Sequence, residues 1–345
     1  MLVKIKNKIE KNLQDYLRDL DKTYSLNEIS PLLAQKIKDF VLRPGKRVRP
    51  VLFVLGYLAF AKKEARGLYQ AAISIELLHD FMLIHDDIID KSATRRGKPS
   101  MHKMLNNYLR DKKNIKFSGQ DLSIVVGDIV YASAINTFLS INEEPQRKEK
   151  ALKKFIDAAF YTGCGEFIEL ILGMKNIEKI TKDDIYKIYD FKTAYYSFAY
   201  PLSIGATLAG AKESDISKIF QYGLYLGRAF QIKDDILGVF GNEAKIGKST
   251  LTDLQEAKKT LLIWHSYRHS NTASKLIIKR ILSKKKVNKT DSFKIQGVLA
   301  ASGSINYAEK EIAEFLGKAQ KINASLRIGK RYKNLFSDYS QKILL

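Results

Sequence analysis

Residues 83–90 read LIHDDIID and place Asp86, Asp87 and Asp90 within five consecutive positions of an otherwise apolar run. Adjacent carboxylates repel, and burying them costs more still, so such a cluster persists where a cation sits on it. On a helix, Asp86 and Asp90 share a face, His79 lies two turns earlier on the same stripe, and Asp87 stands beside it. Arg95 and Arg96 follow the carboxylates by about two turns. A second cluster, FQIKDDILG at 230–238, sets Asp234 and Asp235 side by side, with Gln231 one turn earlier. Oxygen donors without cysteine or paired histidine fit Mg²⁺ or Mn²⁺ rather than Zn²⁺. Mg²⁺ takes few carboxylates and completes its shell with water and substrate phosphate, so the aspartates imply a phosphorylated ligand. Either cluster alone could be a solvated charge group at a helix end. Two of one type, on mostly apolar helices with arginines nearby, weaken that reading.

The cationic complement is present. RPGKRVRP (43–50) supplies Lys46, Arg47 and Arg49 around a glycine turn at a helix start, where backbone N–H groups and guanidinium both favour phosphate. Lys192 and Thr193 follow in DFKTAYYSF, Lys248 in IGKST and Lys258 in EAKKTL.

The elements that must position these residues are helical. Segments 71–90, 151–174 and 216–237 repeat apolar residues at three- and four-residue steps. Breakers fall between them at 43–50, 95–100, 142–145 and 241–249. Strand signals are scarce. The pattern predicts an all-α bundle of roughly ten or more helices. The chain has 345 residues, six prolines and no low-complexity linker, which favours a single domain over 1–345. Hydrophobic content of 45% suffices for a large core.

Cys164 is the one cysteine, so no intramolecular disulfide forms and a reducing compartment fits. The N-terminal segment lacks the apolar centre of a signal peptide. Apolar runs such as 51–61 fall short of the ~20 residues that cross a bilayer, so a soluble, cytoplasmic protein without a transmembrane segment is expected. The net charge of +22 could serve nucleic acid, an anionic membrane surface or phosphorylated substrates. Zinc-finger spacing and a basic tail are lacking. A lysine-rich solvated surface explains most of the charge, so nucleic acid is not expected as a partner, while peripheral membrane contact stays open.

Taken together, these motifs resemble the trans-isoprenyl diphosphate synthases, or polyprenyl synthetases. DDIID matches the first aspartate-rich motif and its flank carries the arginine pair. FQIKDDILG matches the second, PGKRVRP the isopentenyl diphosphate motif, and GKSTLTDLQEAKKTLL the late lysine loop. The resemblance runs from about residue 40 to 265 in family order; 270–345 adds helical spacing without a motif. It implies helices around a deep central cavity, a homodimer, and condensation of isopentenyl diphosphate with C5–C15 allylic diphosphates. It further implies that Asp86, Asp90 and Asp234 ligate Mg²⁺, or Mn²⁺, with Asp87 and Asp235 behind them. Arg95, Lys192 and Lys258 would hold the allylic diphosphate, with Lys248 closing over it. Lys46, Arg49, His79 and Arg96 would hold isopentenyl diphosphate. Oxygens near Lys192, Thr193 and Gln231 would face the allylic cation.

By the same resemblance, Phe81 and Met82, five and four places before the first motif, form the floor that stops chain growth. One aromatic there implies a C20 geranylgeranyl product, with C15 farnesyl and C25 geranylfarnesyl products as alternatives. Two departures stand out: Gly238 replaces a third aspartate in the second motif, and Ala257 replaces a glycine before Lys258. A class I terpene cyclase shares the ionisation chemistry, but paired aspartates at 234–235 and the cations for a second diphosphate argue against it. A non-catalytic synthase subunit would have lost aspartates, and both motifs are intact.

Overall fold

The computed structural model describes residues 1–241 and 251–344. As expected, the fold is all-α, with more than ten helices. Among the described residues, the one sheet is a hairpin pairing Thr94–Arg95 with Lys98–Pro99. Contacts divide the chain into two compact units. The first comprises 1–153 with 204–210, and the second 154–203 with 211–345.

In the first unit, the amphipathic helix Leu2–Tyr24 buries Ile5, Ile9, Leu13, Tyr16 and Leu20, one per turn. Helix Val48–Phe60 is buried on nearly every side. Helix Leu68–Ile89 carries the first motif. It starts at Gly67, which has φ +83° and where an added Cβ would stand 2.4 Å from the Ser140 carbonyl oxygen, leaving no room for a side chain. Helix Gly119–Phe138 packs along it, and an added Cβ at Gly127 would overlap the His85 ring. By length and composition this helix could cross a membrane, a longer apolar stretch than the 51–61 run suggested. Here Val126, Val130, Ala134 and Phe138 are buried and the helix packs against the motif helix, while Ile124 and Val125 stay exposed.

The turn after the first motif is tightly specified. The Ser92 N–H donates to the Asp87 carbonyl at 2.9 Å, and the Ser100 hydroxyl donates to the Ser92 carbonyl at 2.7 Å. The hairpin register leaves a two-residue loop, Arg96-Gly97, with both φ values positive. That is the twist a short hairpin prefers, although arginine is an unusual first residue for it. Arg43, almost fully buried, donates from Nη1 to the Arg95 carbonyl at 3.2 Å and from Nη2 to the Pro99 carbonyl at 2.8 Å. It pins the hairpin to the end of helix Pro31–Val41.

Arg47 fixes the other side. Its backbone is left-handed, with φ 53°. Its buried guanidinium donates to Glu10 Oε1 at 2.9 Å, Glu76 Oε1 at 2.6 Å and the Arg43 carbonyl at 2.9 Å. One side chain therefore joins the N-terminal helix, the motif helix and the 43–50 loop.

In the second unit, helix Glu213–Phe240 lies against the π-helix Tyr189–Ala199 and helix Ser304–Ser325. Small residues permit the approach: a Cβ at Gly227 would stand 2.4 Å from Ala194 Cα, and one at Gly165 would stand 2.4 Å from the Lys192 backbone nitrogen. The C-terminal helices, which lack motifs, complete this unit's core through Ile278, Ile281, Val298, Leu299 and Phe315.

Removing Arg47 takes the nearer cation from the buried Glu76 and leaves it the longer contact to Arg96 Nη2 at 3.3 Å. Arg47→Ala is therefore expected to lower stability by roughly 3–5 kcal/mol, the cost of breaking a buried ion pair from one side. A denaturation midpoint matching wild type would contradict this role.

Candidate active site

In the first unit, Asp86 and Asp90 occupy the last turn of helix Leu68–Ile89 and are partly exposed. Arg95 bridges the motif: Nη2 donates to Asp86 Oδ2 at 3.0 Å and Nε to Asp87 Oδ1 at 2.8 Å. Asp87 is fully buried. Burial pushes its carboxyl up to about 6, opposed by Arg95 and assisted by Asp86 and Asp90. The donors around Asp86 and Asp90 are carboxylates, a set that suits a hard cation.

His79, Arg49 and Arg96 gather on the side of the helix nearer its start. Burial, and then the arginines at 49, 96, 95 and 47, hold the His79 imidazole neutral by lowering its pKa well below the usual value. A neutral imidazole still offers phosphate one N–H donor. Lys46 is exposed on the 43–50 loop, and a Cβ on neighbouring Gly45 would lie 3.6 Å from Arg96 Cζ, so that loop runs beside Arg96. Phe81 stacks on Tyr131 of helix Gly119–Phe138, centroids 4.8 Å apart, and meets His85 edge-on at 4.7 Å. Met82 is partly buried next to it in sequence.

In the second unit, Lys192 and Thr193 lie on the π-helix, a local widening that recurs at functional sites. Lys192 Nζ lies 2.6 Å from Glu166 Oε2 and also bonds Glu169. The Thr193 hydroxyl donates to Gln231 Oε1 at 2.7 Å, and Gln231 Nε2 donates to Asp235 Oδ1 at 2.8 Å. The Tyr189 hydroxyl donates to the other Asp235 oxygen and accepts from the Leu261 N–H at 2.9 Å. Burial pushes Asp235 up to about 7, while the Tyr189 and Gln231 hydrogen bonds oppose the shift. Asp234, beside it, is exposed. Lys258 Nζ lies 2.9 Å from Glu256 Oε2 and 3.7 Å from Asp253 Oδ1. Lys248 lies outside the described residues.

Both departures from the family pattern have local explanations. A Cβ at Gly238 would stand 2.4 Å from Asp253 Oδ2. The space where a third motif aspartate would begin is taken by a carboxylate from later in the chain. Ala257 has φ 52°, the left-handed backbone that glycine adopts freely and alanine does not. The turn before Lys258 thus keeps a glycine's geometry with alanine in place.

Sequence reasoning missed Asp253, Glu166, Glu169, Glu76 and Asp80. The pair at 166 and 169 had a readable signal, two acids three apart on one face of an apolar helix. Asp253 had none until the chain folded it onto Gly238.

An all-α fold with diphosphate-type cations and paired aspartates defines a prenyl-transferring class. A family profile described as Polyprenyl synthetase matches residues 30–297, and the chain belongs to that family. It is a prenyltransferase. The family joins isopentenyl to allylic diphosphates and depends on metal. The chain is 32% identical over 257 residues to a geranylgeranyl diphosphate synthase of Saccharolobus solfataricus, covering 72% of this chain and 70% of that one. It is 31% identical over 305 residues to a geranylfarnesyl diphosphate synthase of Aeropyrum pernix, covering 86% and 89%. A solved geranylgeranyl pyrophosphate synthase from Corynebacterium glutamicum, complexed with isoprenyl diphosphate and magnesium, superposes with TM-score 0.90. That match has 25% identity and covers 100% of this chain and 99% of the other.

Gly238→Ala should cost little, because the Asp253 side chain can rotate away. Gly238→Asp, which restores the third aspartate, should instead lower the thermal midpoint by roughly 1–3 °C, the effect of about 1–2 kcal/mol in a chain of this size. A midpoint unchanged in Gly238→Asp would show that Asp253 does not hold that space.

Proposed function

We propose that residues 1–345 act as one Mg²⁺-dependent prenyl diphosphate synthase that condenses isopentenyl diphosphate with allylic diphosphates to give all-trans geranylgeranyl diphosphate. The observation that carries this reading is the first motif, where Arg95 bridges Asp86 and Asp87 beside Asp90, backed by His79, Arg49 and Arg96, in a chain of the polyprenyl synthetase family.

The all-oxygen donors at Asp86 and Asp90 fit Mg²⁺ and would hold it together with Asp234, with Mn²⁺ as a substitute. Mg²⁺ held by these carboxylates would supply positive charge against the departing diphosphate. Arg95, Lys192 and Lys258 supply cationic donors to that diphosphate, and Lys248 joins them. Lys46, Arg49 and Arg96 bind the isopentenyl diphosphate, and neutral His79 adds a hydrogen-bond donor without adding charge. The Thr193 hydroxyl and Gln231 amide oxygens stabilise positive charge on the allylic carbons. The isopentenyl double bond attacks that carbon, and the released diphosphate takes the proton lost from the adduct. Apolar walls exclude the water that would quench the cation.

The Phe81–Tyr131 stack supports the C20 reading: two rings in contact form a wide apolar stop below the first motif. Ile124 and Val125 are exposed on helix Gly119–Phe138, which supports self-association as a homodimer. We place the enzyme in the cytoplasm.

The test incubates purified protein with labelled isopentenyl diphosphate, each of the C5, C10 and C15 allylic diphosphates, and Mg²⁺, with a metal-free control and chromatography of the dephosphorylated products. Metal-dependent C20 alcohol is expected from wild type, and loss of turnover with a retained helical spectrum from Asp86→Ala. Cyclic hydrocarbon without isopentenyl incorporation would assign a cyclase, and no product with any primer would assign a non-catalytic subunit. Phe81→Ala removes one ring of the stack and is expected to shift products to longer chains. An unchanged length distribution would remove Phe81 as the stop.

A further inference from the structure

Helix Leu68–Ile89 carries two acids that the synthase motifs do not use. Glu76 and Asp80 lie one helical turn apart, and their side chains are 2% and 0% exposed. A charge is rarely kept in such a place without a partner. Glu76 Oε1 accepts from Arg47 Nη1 at 2.6 Å and from Arg96 Nη2 at 3.3 Å. Asp80 is different: among the described residues, neither of its oxygens has a hydrogen-bond partner. The cation facing it is Arg96, with Nη1 3.7 Å from Asp80 Oδ1. The same guanidinium donates to the Arg43 carbonyl at 3.4 Å. It therefore spans two buried acids and a carbonyl while its side chain stays 18% exposed. Its backbone gives it no help, since Arg96 sits at φ 52° in a two-residue hairpin loop.

We propose that Asp80 is a positioning residue for the isopentenyl diphosphate site: with Glu76 it forms a buried acidic cradle that holds the Arg96 guanidinium ready for the diphosphate. The relation is mutual. Burial, and then Glu76, push the Asp80 carboxyl up to about 8, and Arg96, followed by Arg47 and Arg49, opposes the rise. Arg96 favours the charged form of Asp80, and Asp80 holds Arg96 in place. Arg47 is already saturated by Glu10, Glu76 and the Arg43 carbonyl, so it cannot take over the role of Arg96.

The inference rests on the isopentenyl-binding role proposed above for Arg96, and the test separates the two. Isopentenyl diphosphate binding is measured calorimetrically without metal or allylic partner, beside steady-state kinetics, for wild type, Asp80→Asn, Arg96→Ala and the double variant. Asn keeps the shape of Asp80 and removes its charge. Asp80→Asn is expected to weaken isopentenyl diphosphate binding and raise its KM by about tenfold, with the allylic KM unmoved. In the Arg96→Ala background the same change should have no further effect, which a general loss of packing would not produce. Wild-type turnover with isopentenyl affinity untouched by Asp80→Asn, or an effect that persists without Arg96, overturns the role of Asp80 and leaves the synthase reading standing. Wild type that neither binds nor consumes isopentenyl diphosphate overturns both.

Discussion

Four acidic side chains along one helix, Glu76, Asp80, Asp86 and Asp87, with Asp90 at its C-cap, have to be reconciled with a helix otherwise rich in leucine, isoleucine and alanine. Charges of one sign on adjacent turns repel, and burial multiplies the cost. The first unit answers with arginines drawn from two separate stretches of chain. Arg43 and Arg47 come from the loop before helix Val48–Phe60, Arg49 from its first turn, and Arg95 and Arg96 from the hairpin after the motif. The compensation is graded along the helix. At Glu76 the acid is fully enclosed and tied to Arg47. At Asp87 it is enclosed and tied to Arg95. At Asp86 and Asp90 it is partly open, and there a carboxylate can still bind something that arrives from solution.

This grading explains why irregular backbone is concentrated where the chemistry is. Arg47 and Arg96 both have left-handed φ values, 53° and 52°, where an ordinary side chain costs about 1 kcal/mol or more. Both have side chains fixed by acids from the motif helix, so strain at the backbone is offset by charge pairing at the tip. The second unit uses the same trade in another form. Lys192 sits on a π-helix, where backbone bonding is poorer than in an α-helix, and Glu166 and Glu169 hold its ammonium.

The all-α fold was legible in periodicity, and the helix joints at 43–50, 95–100 and 142–145 fell where glycine and proline interrupted it, while 242–249 lies outside the described residues. The pairing of Arg95 with the first motif's carboxylates was legible too, because the arginine pair follows that motif directly in the sequence. What stayed hidden shares a physical feature: it depends on contacts between residues distant in sequence. Arg47 read as one more basic loop residue; only folding shows it buried between Glu10 and Glu76. The 51–61 run was the obvious apolar segment, yet the longer span is Gly119–Phe138, whose serines and aspartates mask its hydropathy by eye. Division of the contacts into two units left no composition shift, because helix Pro145–Met174 runs through the boundary without a linker.

The two departures from the family pattern show how far a motif can drift while its geometry is kept. At 238 the missing side chain is what lets Asp253 approach; the acid has changed its origin in the sequence, and its neighbourhood beside Asp235 remains acidic enough that Asp253 contributes to raising the Asp235 carboxyl. At 257 the residue changed and the conformation did not, so the turn into Lys258 carries a strain that glycine would not. A pattern match counts both as errors. Physically they are opposite cases: the first frees space that another carboxylate fills, and the second keeps a turn at the expense of local stability. What the family pattern constrains, on this reading, is where charge and backbone direction fall around the diphosphates, and residue identity only as far as it delivers them.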